Sequence, residues 1–419
     1  HKEYRRQRQM CIRDSIILGH LITIPTAMAI AEIATNQKVE GGGEYYIISR
    51  SFGINIGAAI GLTLYLSQAI SIAFYAIAFS EAFDEVIEWL NDTYHIFIWD
   101  KRLISAPLVL VLSAIMLSKG AQLGVKILYP VVAILVVSLL FLFLGDTGYR
   151  SGNENFDFFK TIQNPDSFFI VFAIIFPAFT GMTAGVGLSG DLKDPKKAIP
   201  LGSLMATFTG MLIYLFIAYK LTISASPEDL AADQLIMGKI ALWGPIIAIG
   251  LAAATFSSAL GSIMVAPRTL QALASDGIIP NKGINALLSK ETKKGEPFNA
   301  TVITILIALF FLLVGDINMV AKIISMFFMV TYGAICSISF LQHFAADPSY
   351  RPAFKSRWYV SLLGAVLCFY MMFKMNAMYA FSALLIMVLI YVGITYFSPN
   401  KQGMAVSYTH LTLPTILLV

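Results

Sequence analysis

FIVFAIIFPAFTGMTAGVGLS, Phe169 to Ser189, is apolar and long enough to cross a bilayer, yet Pro177, Thr180, Gly181, Gly185 and Gly187 interrupt it. A hydrocarbon core about 30 Å thick takes about 20 residues of helix. Proline removes one amide donor and clashes with the preceding turn, so carbonyls near Ala173 and Phe176 are freed from the helical ladder, where a cation can use them. Glycine lets the chain leave helical geometry. A helix restarting there presents the amides of Gly181, Met182 and Thr183, with a dipole that favours an anion. Interrupted crossings at mid-membrane mark transporter sites. On this segment alone a second reading stays open: a proline kink packed by small residues that binds nothing.

The rest of the chain supports a bilayer as its solvent. Its 419 residues are 57% hydrophobic and 13% charged, with a mean hydropathy of +0.74, outside the range of water-soluble globular chains. Eleven apolar segments read as crossings, at about 16–35, 53–83, 103–118, 123–145, 168–189, 198–222, 240–266, 298–315, 319–344, 358–373 and 376–397. Stretches such as 131–144 are apolar on every face rather than alternating, which excludes a β-barrel and leaves helices as the spanning element. The fold class expected is all-α integral membrane. Cys11, Cys336 and Cys368 have no metal-ligand or disulfide spacing, so no transition-metal site is expected. A net charge of +4 spread along the chain does not suggest nucleic acid.

Basic residues in the short loops alternate along the chain. Lys38, Arg50, Lys119, Lys126, Lys193, Lys196, Lys197, Arg268, Lys282, Lys290, Arg351, Lys355 and Arg357 fall on one face, whereas Asp84, Glu88, Asp146, Asp157 and Asp229 fall on the other. The positive-inside rule makes the first face cytoplasmic and the protein a multi-pass component of the cell membrane. Residues 1–15 and 402–419 read as non-native or disordered ends resembling translated adapter sequence, leaving 16–401 as the transmembrane domain. Ionisable groups are scarce in the centres of the crossings, which argues against a proton relay. His20, inside the first crossing, reads as a packing residue. Neither a His-Glu-x-x-His, a Gly-x-Ser-x-Gly nor a Gly-x-x-x-x-Gly-Lys motif is present, so neither catalysis nor ATP-driven pumping is expected.

Three motifs taken together resemble the cation-chloride cotransporter family of the amino-acid, polyamine and organocation permease superfamily. They are GGGEYYIISRSFG (Gly41 to Gly53), IFPAFTGMTAGVGLSGDLKDPKKAIP (Ile175 to Pro200) and FSSALGSIMVAPRTLQALASDGIIP (Phe256 to Pro280). The likeness extends from about Ile16 to about Lys401. It implies an inverted-repeat fold of five plus five helices followed by two more, with the first and sixth broken, and on that template the eleven crossings are helices two to twelve. It also implies a secondary transporter with no cofactor, moving sodium, potassium and chloride. The expected partners are the lipid bilayer and small inorganic ions, with a homodimer as a further option.

The resemblance assigns residues. Pro177 and Thr180 match a potassium site completed by Tyr75, and Gly181, Met182 and Thr183 match a chloride site completed by Tyr332. Taken alone, each tyrosine also reads as a packing aromatic with its hydroxyl on a backbone carbonyl. Ala254, Ser257 and Ser258 stand at i, i+3 and i+4, on one helix face, where two hydroxyls can replace part of a cation's water shell. The resemblance makes them a sodium site; the residues alone equally suit a small-residue packing stripe. An amino-acid or amine permease of the same superfamily is the alternative function, because exposed amides at a broken helix would hold a substrate carboxylate as well.

Overall fold

The computed structural model describes residues 8–36, 43–95, 100–145, 167–187, 192, 194–226, 229–230, 233, 235–292, 295–314, 316–345 and 350–397. The expectation for the far C-terminal end, and that for residues 1–7, lie outside them. Among the described residues all regular structure is helical: α1 (Arg8–Asn36), α2 (Gly43–Phe52), α3 (Ile54–Glu81), α4 (Asp84–Tyr94), α5 (Arg102–Lys119), α6 (Ala121–Leu144), α7 (Phe168–Ile175), a 3-10 turn (Phe176–Phe179), α8 (Met182–Gly187), α9 (Pro195–Ser224), α10 (Ile236–Ile240), α11 (Pro245–Ser275), α12 (Lys282–Leu288), α13 (Phe298–Val314), α14 (Ile317–Gln342), α15 (Trp358–Met375) and α16 (Ala377–Phe397).

Eight of these are long and apolar enough to cross a membrane. Three shorter apolar helices, Arg102–Ser118, Phe168–Phe179 and Phe298–Val314, fall on the remaining three expected positions. The main correction concerns α11, expected at 240–266 but running from Pro245 to Ser275. Proline suits the first turn of a helix, and Pro267, just past the expected end, stands inside α11 without ending it; the helix closes only before Gly277, whose φ is 64°. Loop segments between crossings also coil: α2 and the amphipathic α4 were not expected as helices.

The helices sort into centre and periphery. In α1 and α14, 72% of the most apolar window is buried, whereas in α9 none of it is. The centre holds Phe172, Phe176, Phe328 and Tyr332 packed with residues of α1, α3 and α15. Side chains such as Leu201, Phe216, Leu306 and Phe310 stand exposed around the outside. Lipid tails are as apolar as these groups, so such a surface suits a bilayer and would not suit water.

Loop contacts obey the alternation read from the charges. On the Lys/Arg-rich face, Arg50 donates to both carboxylate oxygens of Asp276 at 2.8 and 2.9 Å, and Tyr45 donates to the same carboxylate at 2.5 Å. Those bonds lift the Arg50 guanidinium still further above its ordinary range. On the same face Arg268 pairs with Glu296 at 3.2 Å, and the Phe354 amide donates to Thr35 Oγ1. On the opposite face Lys220 Nζ donates to the Gly145 carbonyl at 2.7 Å, and Lys101 pairs with Asp84. Each of these contacts joins loops that the alternation places together.

Glu32, at the Lys/Arg-rich end of α1, is buried but satisfied: Ser339 and Ser356 donate to its carboxylate. His20 is packed as expected, with Nδ1 at 2.7 Å from the Ile16 carbonyl and its ring 4.8 Å from that of Phe179.

Candidate functional site

The fifth crossing breaks where its sequence says it should. The α-helix ends at Ile175, a 3-10 turn covers Phe176–Phe179, Thr180 leaves helical geometry at φ −94° and ψ 2°, and the α-helix restarts at Met182. Pro177 has no amide to offer the Ala173 carbonyl. That carbonyl accepts instead from Ser325 Oγ of α14 at 2.7 Å. Other carbonyls of the break are treated alike: Pro177 accepts from Thr180 Oγ1 at 2.8 Å, Ala178 from the Tyr214 hydroxyl at 3.2 Å, and Thr180 from the Tyr332 hydroxyl at 3.0 Å. Buried carbonyls need donors, and here hydroxyl groups supply them. The Pro177 carbonyl also accepts from the Thr180 amide at 3.3 Å, but hydroxyls can turn away, unlike a helical amide, so the Ala173 and Thr180 carbonyls are more readily released to another partner.

Beside the break lies a cavity of ≈ 470 Å³ whose wall includes Tyr75 of α3, Pro177 and Gly181 of the break, and Ala254 and Ser258 of α11. Residues expected at separate ion sites thus share one chamber. Ser257 and Ser258 both donate to the Ala254 carbonyl at 2.9 Å. Three oxygens are thereby gathered on one helix turn, with the hydroxyl lone pairs left as acceptors. The Tyr75 hydroxyl lies against the Thr180 side chain. Thr180, Thr183 and Tyr332 sit behind the wall, fully buried, and Ser257 and Met182 do not line the cavity. Among the described residues no Asp, Glu, Lys, Arg or His lines it either. Its wall is mostly apolar, and its neutral polar groups include the hydroxyls of Tyr75, Tyr214, Thr255 and Ser258 and the Asn318 amide; neutral oxygens are the ligand type that replaces the water of an alkali cation in selective pores.

Three polar residues of the site escaped the sequence reading. Gln68, buried on α3, donates from Nε2 to Thr183 Oγ1 at 2.8 Å. It stands seven residues before Tyr75, two turns away on the same face, and this spacing was the available signal. Tyr214 and Ser325 carried none, since each meets the break from a helix remote in sequence.

Beyond the geometry, the sequence profile described as "Amino acid permease" matches residues 15–419. The chain belongs to the amino acid permease family. The relatives it resembles are members of solute carrier family 12. It is 32% identical to "Solute carrier family 12 member 2" of Homo sapiens, over 92% of this chain and 36% of that protein. "Solute carrier family 12 member 1" of Homo sapiens is also 32% identical, over 92% of the chain and 39% of the relative. Member 2 of Squalus acanthias is 31% identical, over 93% and 38%. The chain therefore spans less than half the length of these relatives.

Proposed function

We propose that this chain forms the membrane core of a secondary active transporter that carries chloride together with sodium, potassium or both, by alternating access. One observation carries the reading: the broken crossing at Phe176–Gly181 shares a single chamber with Tyr75 and Ser258, whose neutral hydroxyl oxygens face it. Tyr75, Pro177 and Thr180 serve potassium in this reading. Ala254, Ser257 and Ser258 serve sodium, and the amides of Gly181, Met182 and Thr183 with Tyr332 serve chloride. A chamber without a fixed charge suits cargo that is neutral in sum, since each uncompensated charge moved would cost about 2.3 kcal/mol per 100 mV of opposing potential. The Lys/Arg-rich face is cytoplasmic.

Uptake of radiolabelled chloride and of rubidium, with and without sodium, into vesicles containing the full-length protein tests the reading. Chloride uptake that requires a cation supports it; amino-acid uptake without chloride uptake replaces it with the permease alternative, which the family's name and the amides of the restarted helix favour. Ser258→Gly removes one of the two hydroxyls, and the sodium dependence of uptake then weakens at least about tenfold, the equivalent of about 1.4 kcal/mol of lost binding. Undiminished sodium dependence in that variant sinks the sodium assignment.

A further inference from the structure

Glu44 follows three glycines in GGGEYY, between the first two expected crossings. In the structure it is 2% exposed, and neither carboxylate oxygen has a hydrogen-bond partner. Its own amide lies near it but outside bonding geometry. The residue opens α2, and α2 is pressed onto the inner half of the broken crossing: a Cβ on Gly43, at φ +57°, would stand 2.7 Å from the Gly187 Cα. Glu44 is also within electrostatic range of Tyr332, whose hydroxyl holds the Thr180 carbonyl. The acid therefore sits between the Lys/Arg-rich face and the gap.

An ionised carboxylate in such a place needs a countercharge or several donors, because its desolvation costs far more than one hydrogen bond returns. The described charges on α2 and the helices packed against it are engaged elsewhere. Arg50 is held by Asp276, Arg268 by Glu296, and Glu32 of α1 by Ser339 and Ser356. Tyr65, a titratable group of α3, meets Thr304, and Tyr45 of α2 donates to Asp276. Arg13 pairs with Asp14 at the far end of α1. The described part of α8, Met182–Gly187, holds no titratable group.

We propose that Glu44 is a proton-binding site: its carboxyl keeps a proton while α2 and α8 are in contact, and loses it to water on the Lys/Arg-rich face when that contact opens. On opening the O–H bond breaks, the electron pair stays on the carboxylate, and water or buffer takes the proton; closing reverses each step. Burial pushes the carboxyl up to about 8, the direction this requires. Titration of Glu44 stands without the transport reading, on which only its consequence rests: a flux that responds to pH on that face.

Infrared difference spectra of the full-length protein, collected from about pH 6 to about pH 10, read the site directly. A protonated-carboxyl stretch that disappears with a midpoint near 8 and is absent in Glu44→Gln supports the proposal. A carboxylate ionised throughout that range overturns it. Should the variant fold poorly, labelling of the wild-type protein with dicyclohexylcarbodiimide, which attacks protonated buried carboxyls, gives the same answer by mass spectrometry. Modification of Glu44 that falls about tenfold per pH unit above the midpoint supports the proposal, and no modification at low pH overturns it. In vesicles, chloride uptake that depends on pH at the Lys/Arg-rich face in wild type but not in Glu44→Gln supports the gating role; equal dependence in both overturns that role. Absence of chloride uptake altogether would count against the proposed cargo while leaving the spectroscopic titration to decide the proton site.

Discussion

Asp276→Ala and Arg50→Ala, made singly and together, test whether the Lys/Arg-rich face is clamped as described. Asp276 accepts two bonds from Arg50 and one from Tyr45, and the two charged side chains are 19% and 18% exposed. A fully exposed pair contributes about 0–1 kcal/mol, whereas breaking a fully buried one costs about 3–5 kcal/mol. At one-fifth exposure, with fork-on-fork geometry, the pair falls between these limits, so each single variant loses about 2–3 kcal/mol. With about 2 °C per kcal/mol at the large end of the size range, the midpoint of thermal unfolding in detergent falls by about 5 °C. The double variant loses little more than either single one, leaving a coupling energy of about 2 kcal/mol. Additive losses, with coupling under about 0.5 kcal/mol, refute the reasoning: the ion pair would then be a surface contact and α2 would be held by its apolar face alone.

Further outcomes follow from the break and its surroundings. Ser325→Ala leaves the Ala173 carbonyl without its donor, and the thermal midpoint drops by an amount equivalent to about 1–3 kcal/mol, a loss that Ser325→Thr largely restores. Tyr332→Phe removes the donor on the Thr180 carbonyl; concentration-dependence of uptake then shows chloride affinity reduced about tenfold with the fold intact, and unchanged affinity would detach Tyr332 from the anion site. Glu44 adds a pH dependence whose sign is fixed. Unfolded, it gives up its proton near 4.5, but folded it keeps it up to about 8. Its contribution is therefore complete below 4.5 and is lost as pH rises through about 8, so the thermal midpoint of wild type declines across that window while that of Glu44→Gln stays flatter.

The break itself was legible because its causes are local. Pro177 must free a carbonyl, and the glycines after it permit a restart, whatever surrounds them. The alternation of Lys and Arg in the loops was legible for a similar reason, since it records which face each loop occupies. What answers the freed carbonyls was not legible. Ser325 looks like any small residue in an apolar helix, and only the approach of α14 to α7 makes it a donor to Ala173. The serine pair was readable as one face, but the sharing of a single carbonyl by both hydroxyls belongs to the coordinates. The burial of Glu44 was not legible either, since it comes from α2 folding back against α3 and α8.

Gly43 and Gly187 meet backbone to backbone, with no side chain between them. A joint of that kind has almost no compliance, because there is no rotamer to flip and no methylene stem to bend. If the inner half-helix swings, α2 is displaced by the same amount, and the Arg50–Asp276 fork passes the motion on to α11, the helix that carries Ser257 and Ser258. Two glycines thereby convert a loop into a lever between the broken crossing and α11.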